Sequence, residues 1–581
     1  MSRSSSWSLK YSAIAAAFAI LLAACGGATT SKAPSTAPST APVVSTAPAT
    51  AAPSKAAYAG LAYPAAGDAP CGVAPYAGTI KRITAVDRLT VEFQLCASDV
   101  AFLPKLAFAS FGIQDADWLL ANAPGKKYLT TTNGTGPYKL KSWDKGNRVV
   151  MEAFADYWGA KALTPNFELR WGPTAASRLI DLQSGAVDGI DNPGIEEIKT
   201  IKADPSLAFY GRDPMNVAYL GVNRSKAPWS DEKVRRALAM GIDRERIVKN
   251  FYPEGSLAAK KFTPCPPLVP FGCEGDDWYA FDAAAAKQLL TDANFDFTKT
   301  YKVSFRAATR PYNPDPPAIA TEIKSQLETN LGIKTTLDLQ ESGTFRKNVT
   351  AGTYDGMILY GWGADYPDIT NFLDFHFGGG SGPKFGGPFD DIAAALTKGA
   401  TSPVDADRAA AYVIANNLVK QHVPVVPLLH GANGTAFKAD VQGAHSSPLT
   451  TEIFAVMKAS DPTLTFEQSA EPISLYCGDE SDGESLRACE QITEGLYAYK
   501  IGGTDPVPSL ATECTSNADK SIWTCKLRDA VKFHDGASFE ANDVVTTWAA
   551  MWDTKHPAHV GNDGSFEYFT SLWGGFLNPK S

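Results

Sequence analysis

Apolar positions along this chain change period from segment to segment, and that change is the first sign of its architecture. In "DEKVRRALAMGIDRERIVKNF" (231–251) Val234, Leu238, Ile242 and Ile247 fall roughly on one side of a helix. Asp231 stands where a capping carboxylate accepts the first free N–H groups. "FDAAAAKQLLTDANF" (281–295) and "PPAIATEIKSQLETNLGI" (316–333) read as further helices, the second followed by a strand, "KTTLDLQ" (334–340). "ITAVDRLTVEFQL" (83–95) reads as a strand and "CTSNADKSIWTC" (514–525) as a hairpin. Strand-like and helix-like segments alternate through the body, which predicts an α/β chain. No segment repeats, so neither a solenoid nor a tandem duplication is expected.

The N-terminus breaks the pattern. Arg3 and Lys10 accompany residues 12–24, an uncharged run too short to span a bilayer as a helix, and small residues precede Cys25. This reads as a secretory signal. "LAAC" (22–25) resembles the bacterial lipobox, which implies a lipoprotein signal peptide over 1–25 and acylation of Cys25. At ~0.8 kcal/mol per buried CH₂, more than one acyl chain holds a protein at a membrane surface without a spanning helix. Residues 26–62 follow as an Ala/Pro/Ser/Thr-rich linker whose repetitive composition, with almost no charge, is not expected to fold; it is expected to serve as a stalk.

Composition narrows the function. With 581 residues, 44% apolar and 20% charged, the chain buries a large core and forms more than one lobe. A net charge of −9 with scattered basic residues excludes a nucleic-acid partner. Of nine cysteines, Cys25 aside, eight fall into local pairs: Cys71/Cys96, Cys265/Cys273, Cys477/Cys489 and Cys514/Cys525. In an exported chain these read as four disulfides, and the lack of any CxxC speaks against metal ligation. No GxSxG, HExxH, Walker or Rossmann signature occurs, so neither enzyme chemistry nor a cofactor or metal is expected. "HPAH" (556–559) reads as a surface loop and "GDESDGE" (478–484) as a solvated turn.

The informative motifs are spread along the body. "NGTGPYKLKSW" (133–143), "DYWG" (156–159), "RLIDLQSGAVDGID" (178–191), "GVNRSKAPWSDEKVRRALAMGIDRERIV" (221–248), "RPYNPDP" (310–316) and "GWGADYPDITNFLDFHF" (361–377) resemble the extracytoplasmic solute-binding proteins of peptide-importing ABC transporters. "AEPISL" (470–475), "EGLY" (494–497), "PSLA" (508–511) and "LRDAVKFHDGASFEANDVVTTW" (527–548) resemble the same family. In that family the second group comes first. The resemblance therefore implies a circular permutation, with residues 463–581 displaced from ahead of residues 63–457; a fused or mis-assembled gene is the rival.

The resemblance implies a periplasmic-binding-protein-like fold: two α/β lobes closing over a ligand, with a third, accessory domain. On this order the accessory domain comprises 63–129 plus 503–581, lobe I 130–223 plus 431–502, and lobe II 224–430. It also implies the site. Asp365 matches the acidic residue that meets a peptide's ammonium, Trp362 the indole beside it, and Gly361 and Gly363 flank that indole. Arg310 and Tyr312 match positions that meet the carboxylate and wall the cleft in dipeptide-binding members. Ser474 and Tyr476 lie in a loop that borders the ligand in the family, although "SLYCGDE" departs from the family's usual "SLDP" there, and a Cys477–Cys489 bridge is expected to tie that loop down. The expected protein is a monomer that binds a short peptide and delivers it to ABC permease subunits, in the periplasm or at the outer face of the cell membrane. The alternatives are another solute, such as a nickel complex, an oligosaccharide or an opine, and an exported hydrolase or scaffold lipoprotein.

Overall fold

The structure is a computed structural model that describes residues 58–265 and 268–579. The expected signal segment, Cys25 and the expected linker up to residue 57 lie outside the described residues.

Three sheets organise the body. The seven-stranded sheet runs Tyr138–Asp144, Arg148–Ala153, Asn166–Trp171, Thr463–Gln468, Gly189–Asp191, Asn433–Lys438, Leu207–Arg212. The six-stranded sheet runs Leu257–Ala258, Val425–His430, Asn216–Val222, Met357–Gly363, Thr300–Arg306, Lys334–Gln340. The five-stranded sheet runs Ala62–Tyr63, Ile80–Asp87, Thr90–Leu95, Ile522–Leu527, Ala511–Ser516. The first and last of these combine strands from the two ends of the chain. Thr463–Gln468 is central, parallel to both neighbours, with Leu464 and Phe466 fully buried. Its removal would leave two interior edges with unpaired N–H and C=O groups.

Several sequence expectations need correction. Asn216–Val222, assigned to lobe I, is a central strand of the six-stranded sheet, as its unbroken burial requires. The chain thus crosses between the two large sheets at 213–215 and returns at 431–432. The two crossings are clamped together, since Asn216 donates to the Gly431 carbonyl at 2.8 Å and accepts its N–H at 2.9 Å. Segment 231–251 is two helices, Glu232–Gly241 and Arg244–Phe251, capped by Asp231 and Asp243 respectively. Gly241 sits where a Cβ would lie 2.4 Å from Leu331, and the Asp243 carboxylate restarts the helix beyond it. Segment 83–95 is part of a hairpin that turns at Arg88 and Leu89.

The "GDESDGE" turn is not solvated. Asp479 is buried and accepts the N–H groups of Asp563 (3.0 Å), Gly564 (2.9 Å) and Phe566 (2.6 Å), so its acidity organises a distant loop. Nor is "HPAH" purely surface: Ala558 is buried and the His559 ring stacks on Phe566 at 4.2 Å.

All four local disulfides are present. Cys71–Cys96 and Cys265–Cys273 each hold their Cα atoms 5.4 Å apart, Cys477–Cys489 6.2 Å and Cys514–Cys525 4.0 Å. Cys96 directly follows the strand Thr90–Leu95 and ties it to the loop at Cys71, while Cys489 ties the helix Gly483–Glu490 to the turn at Cys477. Cys514 and Cys525 are directly opposed across their hairpin. Among the described residues no helix is long and apolar enough to cross a membrane. No group of three or more His, Cys, Asp and Glu is placed among them to hold a metal ion.

The helix Gly483–Glu490 is fastened to the seven-stranded sheet by buried charges. Arg212 reaches Asp191 at 3.2 Å and Glu452 at 2.7 Å, while Arg487 reaches Asp191 at 2.9 Å and Glu452 at 3.2 Å. All four side chains are at most 4% exposed. Arg487→Met is expected to lower stability by about 3–5 kcal/mol, because two carboxylates stay buried with one cation between them. Urea unfolding of the two proteins checks this, and a loss below about 1 kcal/mol would deny the ring its role.

Candidate functional site

The site is built on the end of one strand. Met357–Gly363 runs antiparallel to Asn216–Val222 and parallel to Thr300–Arg306, which also lies parallel to Lys334–Gln340. The carboxyl ends of three parallel strands therefore share one edge, where α/β sheets leave a crevice for ligands. Strand alternation puts Tyr360 and Trp362 on one face and Gly361 on the other. Gly361 is required by its neighbour, because a Cβ there would lie 2.3 Å from the Tyr312 ring; at Gly363 a Cβ would meet only open space.

Beyond Gly363 the chain enters "ADYPDITN" (364–371), where Asn371 fixes the geometry. Its side-chain oxygen accepts from Trp362 Nε1 at 3.2 Å and from the Asp365 N–H at 3.0 Å. Its amide nitrogen donates to Asp365 Oδ2 at 2.9 Å. Asp368 holds the rest of the loop, accepting from Thr370 and pairing with both of its oxygens to Arg408 at 3.1 Å. Trp362 also stacks on Phe375 at 4.1 Å. Asp365 is 6% exposed. Burial pushes its pKa up to about 7, although hydrogen bonds from Asn371 and Tyr568 stabilise the ionised form.

Tyr568, on the helix Glu567–Trp573, donates its hydroxyl to the Ser481 carbonyl at 3.4 Å and stands close enough to the Asp365 carboxyl to favour its ionised form. The neighbouring Glu567 pairs with Arg346 at 2.6 Å, both 46% exposed. A cleft of about 400 Å³ opens beside this pair, lined by Ile473, Asp479, Glu480 and Asp563 among others. That volume is within the range of small-ligand sites.

The residues expected from sequence are only partly assembled. Asp365, Trp362, Gly361, Gly363 and Tyr312 are brought together. Arg310 is half-buried and donates to the carbonyl of its neighbour Thr309 at 2.9 Å. Ser474 and Tyr476 are 1% and 2% exposed. Tyr476 packs edge-on against Tyr128 at 4.5 Å, and no hydrogen bond or ring contact joins either residue to Asp365. The loop reaches the cleft through Ile473 and residues 479–481 instead. The paired cysteines brace the body and do not touch the ligand space: Cys71, Cys96, Cys265, Cys273, Cys477, Cys489, Cys514 and Cys525 are all bridged, and none lines this cleft. Sequence reasoning passed over Asn371, Tyr568, Arg306 and Lys384. Asn371 had a signal, an amide in the quoted 361–377 motif; the other three had none.

Comparison with known proteins agrees with this geometry. The family described as "Bacterial extracellular solute-binding proteins, family 5 Middle" matches residues 43–384 and 505–569. A heme-binding protein A of Haemophilus influenzae is 27% identical over 384 residues, covering 64% of this chain and 69% of that protein. A dipeptide-binding protein of Escherichia coli is 29% identical over 297 residues, covering 51% of this chain and 55% of its own length. The crystal structure of a dipeptide-binding protein from a Pseudoalteromonas species in complex with Met-Leu superposes with a TM-score of 0.59 at 23% identity, over 66% of this chain and 76% of that one. That likeness shows the two-lobed α/β fold. The chain belongs to the bacterial extracellular solute-binding proteins of family 5, which are solute-binding components of ABC transporters and not enzymes.

Proposed function

We propose that this protein binds short peptides in the crevice beside Asp365 and delivers them to an ABC permease. One observation carries the reading. Asp365 is a buried carboxyl at the ligand edge of the sheet whose hydrogen-bond partners are an amide and a phenol, with no cation within ion-pair distance among the described residues. A buried carboxylate without a countercharge is costly, and a peptide's terminal ammonium is the group that removes the cost. Trp362, held by Asn371 and Phe375, gives the bound chain a flat apolar wall. Relatives and neighbours that bear the names dipeptide-binding protein and di/tripeptide-binding protein support the ligand class. Acylation of Cys25, which would hold the protein at a membrane beside its permease, rests on the sequence alone.

The same reading takes the body as circularly permuted, with an accessory domain around the five-stranded sheet, a first lobe around the seven-stranded sheet and a second around the six-stranded sheet. Two observations support it. The strand Thr463–Gln468 and the hairpin at 511–527 complete sheets begun near the other end of the chain. The ends of the body also meet on one carboxylate: Tyr63 Oη donates to Asp553 Oδ2 at 2.6 Å and Asn578 Nδ2 to Oδ1 at 2.8 Å.

Asp365→Asn is expected to weaken dipeptide binding by about 2–5 kcal/mol, since the ligand's charge would be buried against a neutral amide. Titration calorimetry measures this, and an unchanged affinity would remove Asp365 from the ammonium role. The raised pKa adds a signature. Below about pH 7 the carboxyl of the free protein holds its proton, and the arriving ammonium favours the carboxylate, so binding releases a proton. In buffers of differing ionisation enthalpy, release near one proton per peptide is expected at pH 6, falling as pH rises past 7 and absent in Asp365→Asn. A release that persists in the variant would place the proton elsewhere.

For the permutation, a rearranged chain that runs 463–579 and then 63–457 is expected to fold with a melting temperature within a few degrees of the original. An unfolded product would contradict the reading, because Asp553 brings the joined ends together.

A further inference from the structure

Every arginine among the described residues but one places its guanidinium on a carboxylate or a carbonyl oxygen. The buried ones show how consistently this holds. Arg212 and Arg487 share Asp191 and Glu452, and Arg408 has Asp368. Arg178, Arg235 and Arg244 are surrounded by backbone carbonyls. The exception is Arg306. It is half-buried, its one hydrogen bond goes to the Tyr312 hydroxyl at 3.1 Å, and its charge lies 5.3 Å from the centre of the Tyr360 ring. A guanidinium carries five N–H donors, and this one directs a single donor at a neutral phenol. It ends the strand Thr300–Arg306, next to the Met357–Gly363 strand, at the edge where Asp365 stands.

A second cation on this edge is equally unserved. Lys384 is half-buried over the rings of Phe375 (4.7 Å), Phe385 (5.7 Å) and Trp362 (5.8 Å), its ammonium without a hydrogen bond or ion pair among the described residues. Glu567, the acid whose charge acts on Lys384, is paired with Arg346. Burial brings the Lys384 ammonium down to about 8, as expected where no anion faces it.

Charge balance then describes the ligand. Asp365 calls for one cation. Arg306 and Lys384 call for two anions, whereas a neutral dipeptide brings one carboxylate; the acids of the cleft wall, Asp479 and Glu480, are pushed up by burial, which disfavours their charge. We propose that Arg306 and Lys384 are the anion-binding groups of this crevice and that its ligand is a short peptide with an acidic side chain, carrying two carboxylates and one ammonium. This rests on the peptide reading of Asp365. The guanidinium offers a carboxylate a bidentate grip that the ammonium of Lys384 does not.

The test uses isosteric peptides that differ by one charge: Ala-Glu against Ala-Gln and Glu-Ala against Gln-Ala, titrated into the full chain by calorimetry. In at least one pair the acidic peptide is expected to bind tenfold or more tightly. Arg306→Gln and Lys384→Met are each expected to reduce that preference below threefold, whereas Arg306→Lys and Lys384→Arg, which keep the charge and guard against a folding defect, retain most of it. Equal affinity for acidic and amide peptides overturns the proposal and leaves the peptide reading standing. A preference that survives both neutral variants, or that is lost in Arg310→Gln alone, also overturns it. If none of the four peptides binds, the peptide reading fails and this proposal fails with it.

Discussion

A closed ring of four buried charges, Asp191, Arg212, Glu452 and Arg487, holds the two ends of this chain in one body. Each member comes from a different stretch, and only Arg487 lies in the C-terminal segment. Such a ring is satisfied only when all four partners are in place, so it fixes the helix Gly483–Glu490 against the seven-stranded sheet. The consequences run outward. That helix follows the loop that carries Asp479, to which the Cys477–Cys489 bridge also binds it. Asp479 organises residues 563–566, and the helix after them presents Glu567 and Tyr568 to Asp365. The far wall of the crevice is in this sense suspended from the ring.

The crevice follows the opposite rule. The ring pairs its buried charges, whereas among the described residues the crevice edge holds a carboxyl without a cation, Asp365, and two cations without anions, Arg306 and Lys384. Unpaired charge in a half-buried site costs stability, and on the proposed reading a charged ligand recovers that cost when it arrives. The Asn216–Gly431 clamp makes the two crossings between the large sheets a single short joint. The walls that carry Asp365 and the seven-stranded sheet are connected there, which is the arrangement from which hinge closure over a ligand is built.

Much of this was legible in the sequence, and the limits have physical reasons. Asp365 and Trp362 could be read because their placement needs one local motif, a strand end followed by a tight loop. The disulfides could be read because each closes a short loop. The α/β character followed from periodicity, but the lobe boundary implied by the resemblance left Asn216–Val222 on the wrong side of a crossing, since an unbroken apolar run marks a central strand without saying of which sheet. The break at Ile242 was hidden because its apolar positions continue across it; the signal was the Asp243 cap. The acidic 478–484 stretch misled because a carboxylate looks solvated until the backbone N–H groups that bury it are known, and those come from 563–566. Arg306 could not be distinguished from Arg310 by sequence at all. Their difference is that Arg310 reaches a carbonyl oxygen and Arg306 only a neutral phenol, and that is a property of the folded chain.

The most direct measurement is a crystal structure of the protein with Ala-Glu bound. The expected complex has the peptide ammonium within about 3.2 Å of the Asp365 carboxylate, one carboxylate on Arg306 and the other on Lys384, with Trp362 against the chain between them. A peptide seated elsewhere, with Asp365 still bonded only to Asn371 and Tyr568 and with Arg306 and Lys384 still unpaired, would contradict it.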